Sequence, residues 1–341
     1  MLWWNLRKWR KGDLAQKEQA LRNLVHSRNA RVLPVLLVTV LERGEWSGSI
    51  AEDALVTNFG EKAIDPLLSE LIRVDQLHWD RYGFGIQIRA SVARTVRRIG
   101  PGAIKRTISL LSEKRLPVLA SLIGETGSAE AVPALLALLA TSDGETAAEC
   151  AWSLRSLQDP SSIPGLLAAL ECGDWRVVNA AAAALVRMKV HQAIGPLSRF
   201  LQTNCDACRN WDDYCRINEK HKNGWHVLKS VCETLLELLP CEPRPIHLNA
   251  LALSLIRFLN IVFEEEGYAV LFIAIAPPAD VVPVLKRLLD RGKFDRNENI
   301  KSYVGAHKEF WSVTERAHCA ICDTDRSITA MRGAQAGSGH I

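Results

Sequence analysis

No run of this sequence is apolar enough to cross a bilayer. The longest stretch without Asp, Glu, Lys or Arg is Gly267–Ala279, 13 residues, against roughly 20 for a spanning helix. Cysteine is sparse: nine in 341 residues exclude a secreted disulfide scaffold, whose small loops depend on dense cross-links. Net charge is nearly absent, since 42 Lys and Arg face 38 Asp and Glu. That balance excludes a histone-like or polyanion-like tail, and 48% hydrophobic residues exclude wholesale disorder. Met1–Lys11 holds neither a sustained apolar segment nor a small-residue cleavage site, so no secretory signal is expected and the expected location is the reducing cytoplasm. A Gly-x-x-x-x-Gly-Lys-Ser/Thr loop, a Gly-x-Gly-x-x-Gly turn and a Gly-x-Ser-x-Gly elbow are all missing, which removes the nucleotide-binding and hydrolase signatures. The chain is not expected to be an enzyme. Tyrosine and phenylalanine are few, four and eight, beside ten tryptophans.

What the sequence does contain is a repeat. A β-branched residue, often a nearby proline, and a Leu-rich stretch recur at Val32-Leu33-Pro34, Ile64-Asp65-Pro66, Ile104-Lys105-Arg106, Val132-Pro133-Ala134, Ile163-Pro164-Gly165, Ile194-Gly195-Pro196 and Val282-Pro283-Val284. Successive spacings are 32, 40, 28, 31, 31 and 88 residues. Each Leu-rich stretch precedes a turn and a second amphipathic stretch, Ala-rich at Glu145–Leu157 and Trp175–Met188. Proline suits a first helical turn, where its missing N–H leaves no bond unmade. Alanine lets neighbouring helices approach closely. One such pair cannot bury its own apolar face, but stacked pairs can, and a solenoid lengthens without enlarging a spherical core.

The segment Ile163-Pro164-Gly165-Leu166-Leu167, followed by Asp174-Trp175-Arg176-Val177, Ala180–Ala184 and Leu185, resembles the HEAT-like repeats of the phycobilisome-lyase type. Gln158-Asp159-Pro160 stands where that family's inter-repeat turn reads Gly-Asp-Pro. The resemblance covers residues 30–202 well and 224–316 poorly. It implies an all-α fold, a right-handed α-solenoid (HEAT-like or armadillo-like superhelix) of about seven helix pairs. The implied organisation is an N-terminal capping helix over 1–29 and HEAT-like repeats over 30–239. Irregular helical repeats follow over 240–316, then a Cys-containing, partly disordered tail over 317–341. For function the resemblance implies little, because such repeats serve scaffolds, chaperones and a few enzymes alike. HEAT-like hydroxylases hold iron on repeated His-Glu pairs, and none of the nine histidines here is followed by Glu.

Two repeats carry insertions between their helices, at 74–84 and 204–223, where the fourth repeat has only Thr141–Glu145. Equivalent turns line one edge of a solenoid, so both insertions are expected on the same side, a candidate binding edge. The second insertion bears Cys205-Asp206-Ala207-Cys208, then Cys215, His221 and His226, and the tail adds His318-Cys319-Ala320-Ile321-Cys322. Thiolates three apart can share one tetrahedral Zn²⁺, and a second pair completes the site. One arrangement joins Cys205, Cys208, Cys319 and Cys322; the local alternative uses Cys205, Cys208 and Cys215 with His221 or His226, and His318 is a further alternate. Buried free thiols or a redox pair are the other readings. Cys150 and Cys232 sit inside amphipathic stretches and read as core residues.

Charge is segregated beneath the neutral total. From Arg81 to Ser112 there are seven Lys or Arg, among them Arg89, Arg94, Arg97 and Arg98, and no acid. From Leu116 to Leu154 there are five acids and no base. The basic band can hold nucleic acid phosphates, anionic lipid or an acidic peptide; alternatively its arginines pair with the neighbouring acidic repeat. Trp152, at a position that in the family usually faces the groove, would form a contact hot spot with Arg155 if exposed, whereas Trp175 reads as packing. At the N-terminus, three tryptophans among four cations fit an interfacial helix, or else Trp3, Leu6 and Trp9 cap the first layer. The expected function is protein binding or scaffolding through concave second helices and the inserted edge. The alternatives are an anion-binding solenoid using 81–106, and an enzyme or lyase-type chaperone with a site near the Cys-rich insertion.

Overall fold

A computed structural model describes residues 2–41, 45–76, 84–208, 215–216, 219–220, 224–239, 251, 254–255, 266–276, 278–291 and 298–308. Every regular element among these residues is helical, and the fold is an all-α solenoid. The chain divides into two compact units, Met1–Val190 and His191–Ile341.

In the first unit the N-terminal cap is a hairpin of two helices, α1 (Leu2–Lys11) and α2 (Leu14–Leu24), where one was expected. The break falls at Gly12-Asp13. The Gly12 N–H still donates to the Lys8 carbonyl at 2.7 Å, and the Asp13 carboxylate accepts from the Gln16 backbone N–H at 2.8 Å, capping α2.

Helix pairs follow: α3 (Leu33–Leu41) with α4 (Glu45–Ala54), α5 (Ile64–Gln76) with α6 (Phe84–Ile99), and α7 (Pro101–Lys114) with α8 (Pro117–Thr126). Next come α9 (Val132–Thr141) with α10 (Gly144–Leu157), and α11 (Ile163–Ala169) with α12 (Trp175–Arg187). Short 3-10 turns at Ala30–Val32, Gly60–Ala63, Ala129–Ala131 and Pro160–Ser162 lead into α3, α5, α9 and α11. Val32, Ile64 and Val132 are buried at that junction. The proline that follows each sits in the first helical turn, as its spacing predicts. Gly100, at φ +119°, lets the chain turn directly from α6 into α7, a conformation closed to L side chains.

First helices pack on first helices (α5, α7, α9, α11) and second on second (α6, α8, α10, α12), giving two layers. The second layer is held closely by alanine: Ala147, Ala148 and Ala151 on α10 and Ala180, Ala181, Ala182 and Ala184 on α12 are buried. Two α10 hydroxyls bond the backbone of the preceding repeat, Ser153 donating to the Ala120 carbonyl at 2.7 Å and Thr146 to the Arg115 carbonyl at 3.0 Å.

The fourth-repeat turn is shorter than expected. Thr141 and Gly144 are already helical, leaving Ser142-Asp143, and Asp143 caps α10 through the Thr146 N–H at 2.8 Å. Asp174 repeats the device for α12, accepting from the Arg176 N–H at 2.9 Å and pairing with its guanidinium at 2.8 Å. That pairing holds the Asp174 carboxyl below the usual carboxylate range. Asp174→Ala is therefore expected to cost about 1 kcal/mol at neutral pH. Because the folded value is lowered, the contribution is complete above the unfolded carboxylate pKa and is lost as pH falls through the folded one. Urea melts of wild type and variant should differ at neutral pH and converge in acid.

In the second unit a turn at His191–Ala193 enters α13 (Ile194–Ala207), followed by α14 (Gly224–Leu238), α15 (Glu266–Ile275), α16 (Pro278–Asp290) and α17 (Glu298–Ala306). Each packs on the next around Leu228, Val231, Leu235, Phe272 and Leu285. Here one expectation fails. Pro283 lies inside α16, not in its first turn. Pro278 and Asp280 supply a start signal one turn upstream, a proline at the first position and an acid facing the positive helix end. Most of both insertions (77–83 and 209–214, 217–218, 221–223), all of 240–250 and the tail from 309 lie outside the described residues.

Candidate functional site

The basic band does not stand free. Arg94 donates to Glu52 at 2.9 Å, Arg98 to Asp53 at 2.6 Å and Arg106 to Asp65 at 2.7 Å. All three carboxylates belong to the preceding elements α4 and α5, not to the acidic segment that follows, which corrects the expected direction of pairing. Stacking second helix on second helix sets α6 beside α4, and first on first sets α7 beside α5, so the acids one repeat upstream are the near neighbours. Arg89 pairs forward into the acidic segment, its Nε 3.5 Å from Glu125 Oε1 on α8, and Arg106 also lies 3.6 Å from Glu113 of its own helix. Arg97 is exposed, with no ion pair among the described residues.

The cysteine cluster is seen in part. Cys205, on the last turn of α13, is 1% exposed, and Cys208 caps the helix, its N–H donating to the Cys205 carbonyl at 3.2 Å. Burial pushes the Cys205 thiol well above its ordinary value, and the nearby Cys208 adds to the shift. Cys215 is half-buried and His226 is exposed on α14. His221, His318, Cys319 and Cys322 lie outside the described residues, and no group of three or more metal-ligating side chains forms among the described ones. Cys150 and Cys232 are buried inside α10 and α14, as their sequence context predicts.

A different constellation emerges along the second-helix layer. Four polar side-chain atoms there are buried and make no hydrogen bond of good geometry: Glu125 Oε2 on α8, Arg155 Nε on α10, Asn179 Oδ1 on α12, and Arg89 Nε on α6, whose one contact is the 3.5 Å ion pair with Glu125 Oε1. They alternate donor, acceptor, donor, acceptor across successive stacked helices. Trp152 lies among them, half-buried and not fully exposed, because the Arg155 guanidinium covers its ring at 5.4 Å. Trp175 is buried at the start of α12, packing as expected. Burial pushes the Glu125 carboxyl up against the pull of Arg89, and the negative charge of Glu149 pushes it the same way. Of these, the sequence reading singled out Arg89, Trp152 and Arg155 and missed Glu125 and Asn179. The signal was available for Asn179: it is the lone amide in the run Val177–Leu185, otherwise all Val, Ala and Leu.

Residues 112–186 and 132–211 match the profile of the family described as HEAT repeats. This stretch is built of HEAT repeats. The HEAT match runs from the end of α7 through α13 and so contains α8, α10 and α12 with three of the four buried polar atoms. It begins later than residue 30, where the resemblance was expected to start. Upstream the period departs from 31: Ile64 and Ile104 are 40 residues apart, and α4 runs on into a π-helical turn at Leu55–Phe59. Among curated proteins none matches the chain.

Proposed function

We propose that the first unit is a non-catalytic, cytoplasmic scaffold that binds an extended segment of a protein partner across its second-helix layer. The observation that carries this reading is the row of half-buried polar side chains on successive second helices, the Arg89–Glu125 ion pair followed by Arg155 and Asn179, each with a polar atom that makes no hydrogen bond. Buried polar atoms are ordinarily satisfied, and a rotamer change of these half-buried side chains would bring them to the carbonyl and N–H groups of an extended chain. Helices packed about 8–10 Å apart and a rise of about 3.3 Å per extended residue give roughly one contact every third residue. Trp152, with Arg155 stacked on it, supplies the aromatic anchor typical of interface hot spots. Neutralisation of Arg94, Arg98 and Arg106 weighs against the alternative of a nucleic acid or lipid site on the basic band. The phycobilisome-lyase subtype belongs to the same proposal and rests on Asp174-Trp175-Arg176-Val177. A photo-cross-linking amino acid at position 152 should capture a protein partner in the native host, and the same group at Lys105, on the exposed side of α7, should not. Equal capture from both positions would refute the assignment.

A structural zinc is a second element of the proposal, supported by the Cys205–Cys208 turn. Native mass spectrometry of freshly purified, reduced protein should show one zinc per chain, lost in Cys319→Ser and kept in Cys215→Ser. Protein without zinc would remove the site.

A further inference from the structure

We infer that the outward face of α1 docks this protein on the surface of a bilayer containing acidic phospholipid. This goes beyond the protein-binding reading and uses none of its residues. At 3.6 residues per turn, Trp3, Trp4, Arg7, Lys8, Arg10 and Lys11 fall on one side of α1, and all six are exposed. The opposite side, Leu2, Asn5, Leu6 and Trp9, is half-buried, and α1 packs on α2, where the Asn23 amide donates to the Asn5 side-chain oxygen at 3.3 Å. Capping of the first layer therefore falls to Leu6 and Trp9. Trp3, which the sequence grouped with them, points the other way.

Trp3 at 67% and Trp4 at 56% exposure are the large hydrophobic side chains left in water among the described residues. Their rings stack, 5.9 Å between centroids and 5° between planes, with the Arg7 guanidinium 5.4 Å and 5.8 Å from the two rings. No acidic residue occurs before Asp13, whose carboxylate is engaged at the start of α2. Arg7, Lys8, Arg10 and Lys11 make no ion pair among the described residues, in contrast to Arg94, Arg98 and Arg106. The same face thus offers indole rings and unneutralised cations together. A lipid headgroup layer matches this combination: indoles settle at headgroup depth and cations meet phosphate and carboxylate groups. A nucleic acid duplex, with its bases paired inside the helix, would satisfy the cations but leave the stacked rings in water.

Flotation of the full chain with vesicles tests this. It should float with phosphatidylcholine vesicles containing phosphatidylserine, should remain unbound with pure phosphatidylcholine, and should be released by salt. Trp3→Ser with Trp4→Ser, and separately Arg10→Glu with Lys11→Glu, should each lower the bound fraction about tenfold or more while thermal unfolding stays unchanged, since the altered residues lie on the exposed side. Four outcomes would overturn the inference: no flotation with phosphatidylserine, equal flotation on both vesicles, flotation undiminished in both variants, or a duplex DNA affinity that the tryptophan variant retains and that exceeds vesicle binding. Self-association of the wild type that the tryptophan variant abolishes, without vesicle binding, would also overturn it and assign the face to a second copy.

Discussion

Gly124→Ala should destabilise the first unit by about 2 kcal/mol, although alanine is the better helix former. A Cβ at position 124 would lie 2.6–2.7 Å from Ser153 Oγ, Cα and Cβ. The Cα belongs to the α10 backbone, so the clash cannot be relieved by a rotamer change, and α8 must move away from α10. That movement also strains the 2.7 Å hydrogen bond from the Ser153 hydroxyl to the Ala120 carbonyl. In calorimetry the loss corresponds to a fall in Tm of roughly 2–4 °C per kcal/mol for a body of this size. Gly173→Ala is the control, because a Cβ there would meet nothing within 4 Å. Equal melting of the two variants would mean that α8 and α10 are not packed at backbone distance.

Leu154→Ala should cost more, about 2–5 kcal/mol, by the usual penalty for an unfilled cavity. Leu154 is completely buried on α10, the helix that touches α8, α9 and α12. In a stack where each pair contacts only its neighbours, stability is a sum of repeat and interface contributions. Weakening the central repeat should therefore loosen coupling as well as lower the midpoint. Hydrogen exchange should show α12 losing more protection than α5 and α7, each measured against the same helix in wild type. A uniform loss of protection from α1 to α12 would show instead that the unit unfolds as one block.

The repeat was legible in the sequence because its start signal is local. A β-branched residue and a first-turn proline mark α3, α5, α9, α11 and α13, and each depends only on backbone geometry within one turn. The same cue misplaced the start of α16, where Pro283 competes with Pro278 and Asp280. The cap split in two for an equally local reason, Gly12-Asp13, that a hydrophobic pattern alone does not register. Pairing partners were less legible. Arg94 and Glu52 are 42 residues apart, and Arg98 and Asp53 are 45, so which acid meets which arginine depends on stacking order, not on the nearest acidic run. The row of Arg89, Glu125, Arg155 and Asn179 was illegible because its members come from four helices and line up only once these are stacked. Trp152 fell between the two cases: its place on the second-helix layer followed from the period, but its cover by Arg155 did not.

On the proposed function, the second-helix layer of the first unit reads an extended peptide. The most direct measurement of this is the affinity of peptides selected from a random display library on the wild-type chain. Binding of those peptides is then compared in Arg155→Ala, Asn179→Ala and Lys105→Ala. Losses of about tenfold or more are expected for the first two, the size found at an interface hot spot, and none for Lys105→Ala on the first-helix layer. Peptides that bind all three variants as tightly as wild type, or that lose affinity only with Lys105→Ala, would contradict that function.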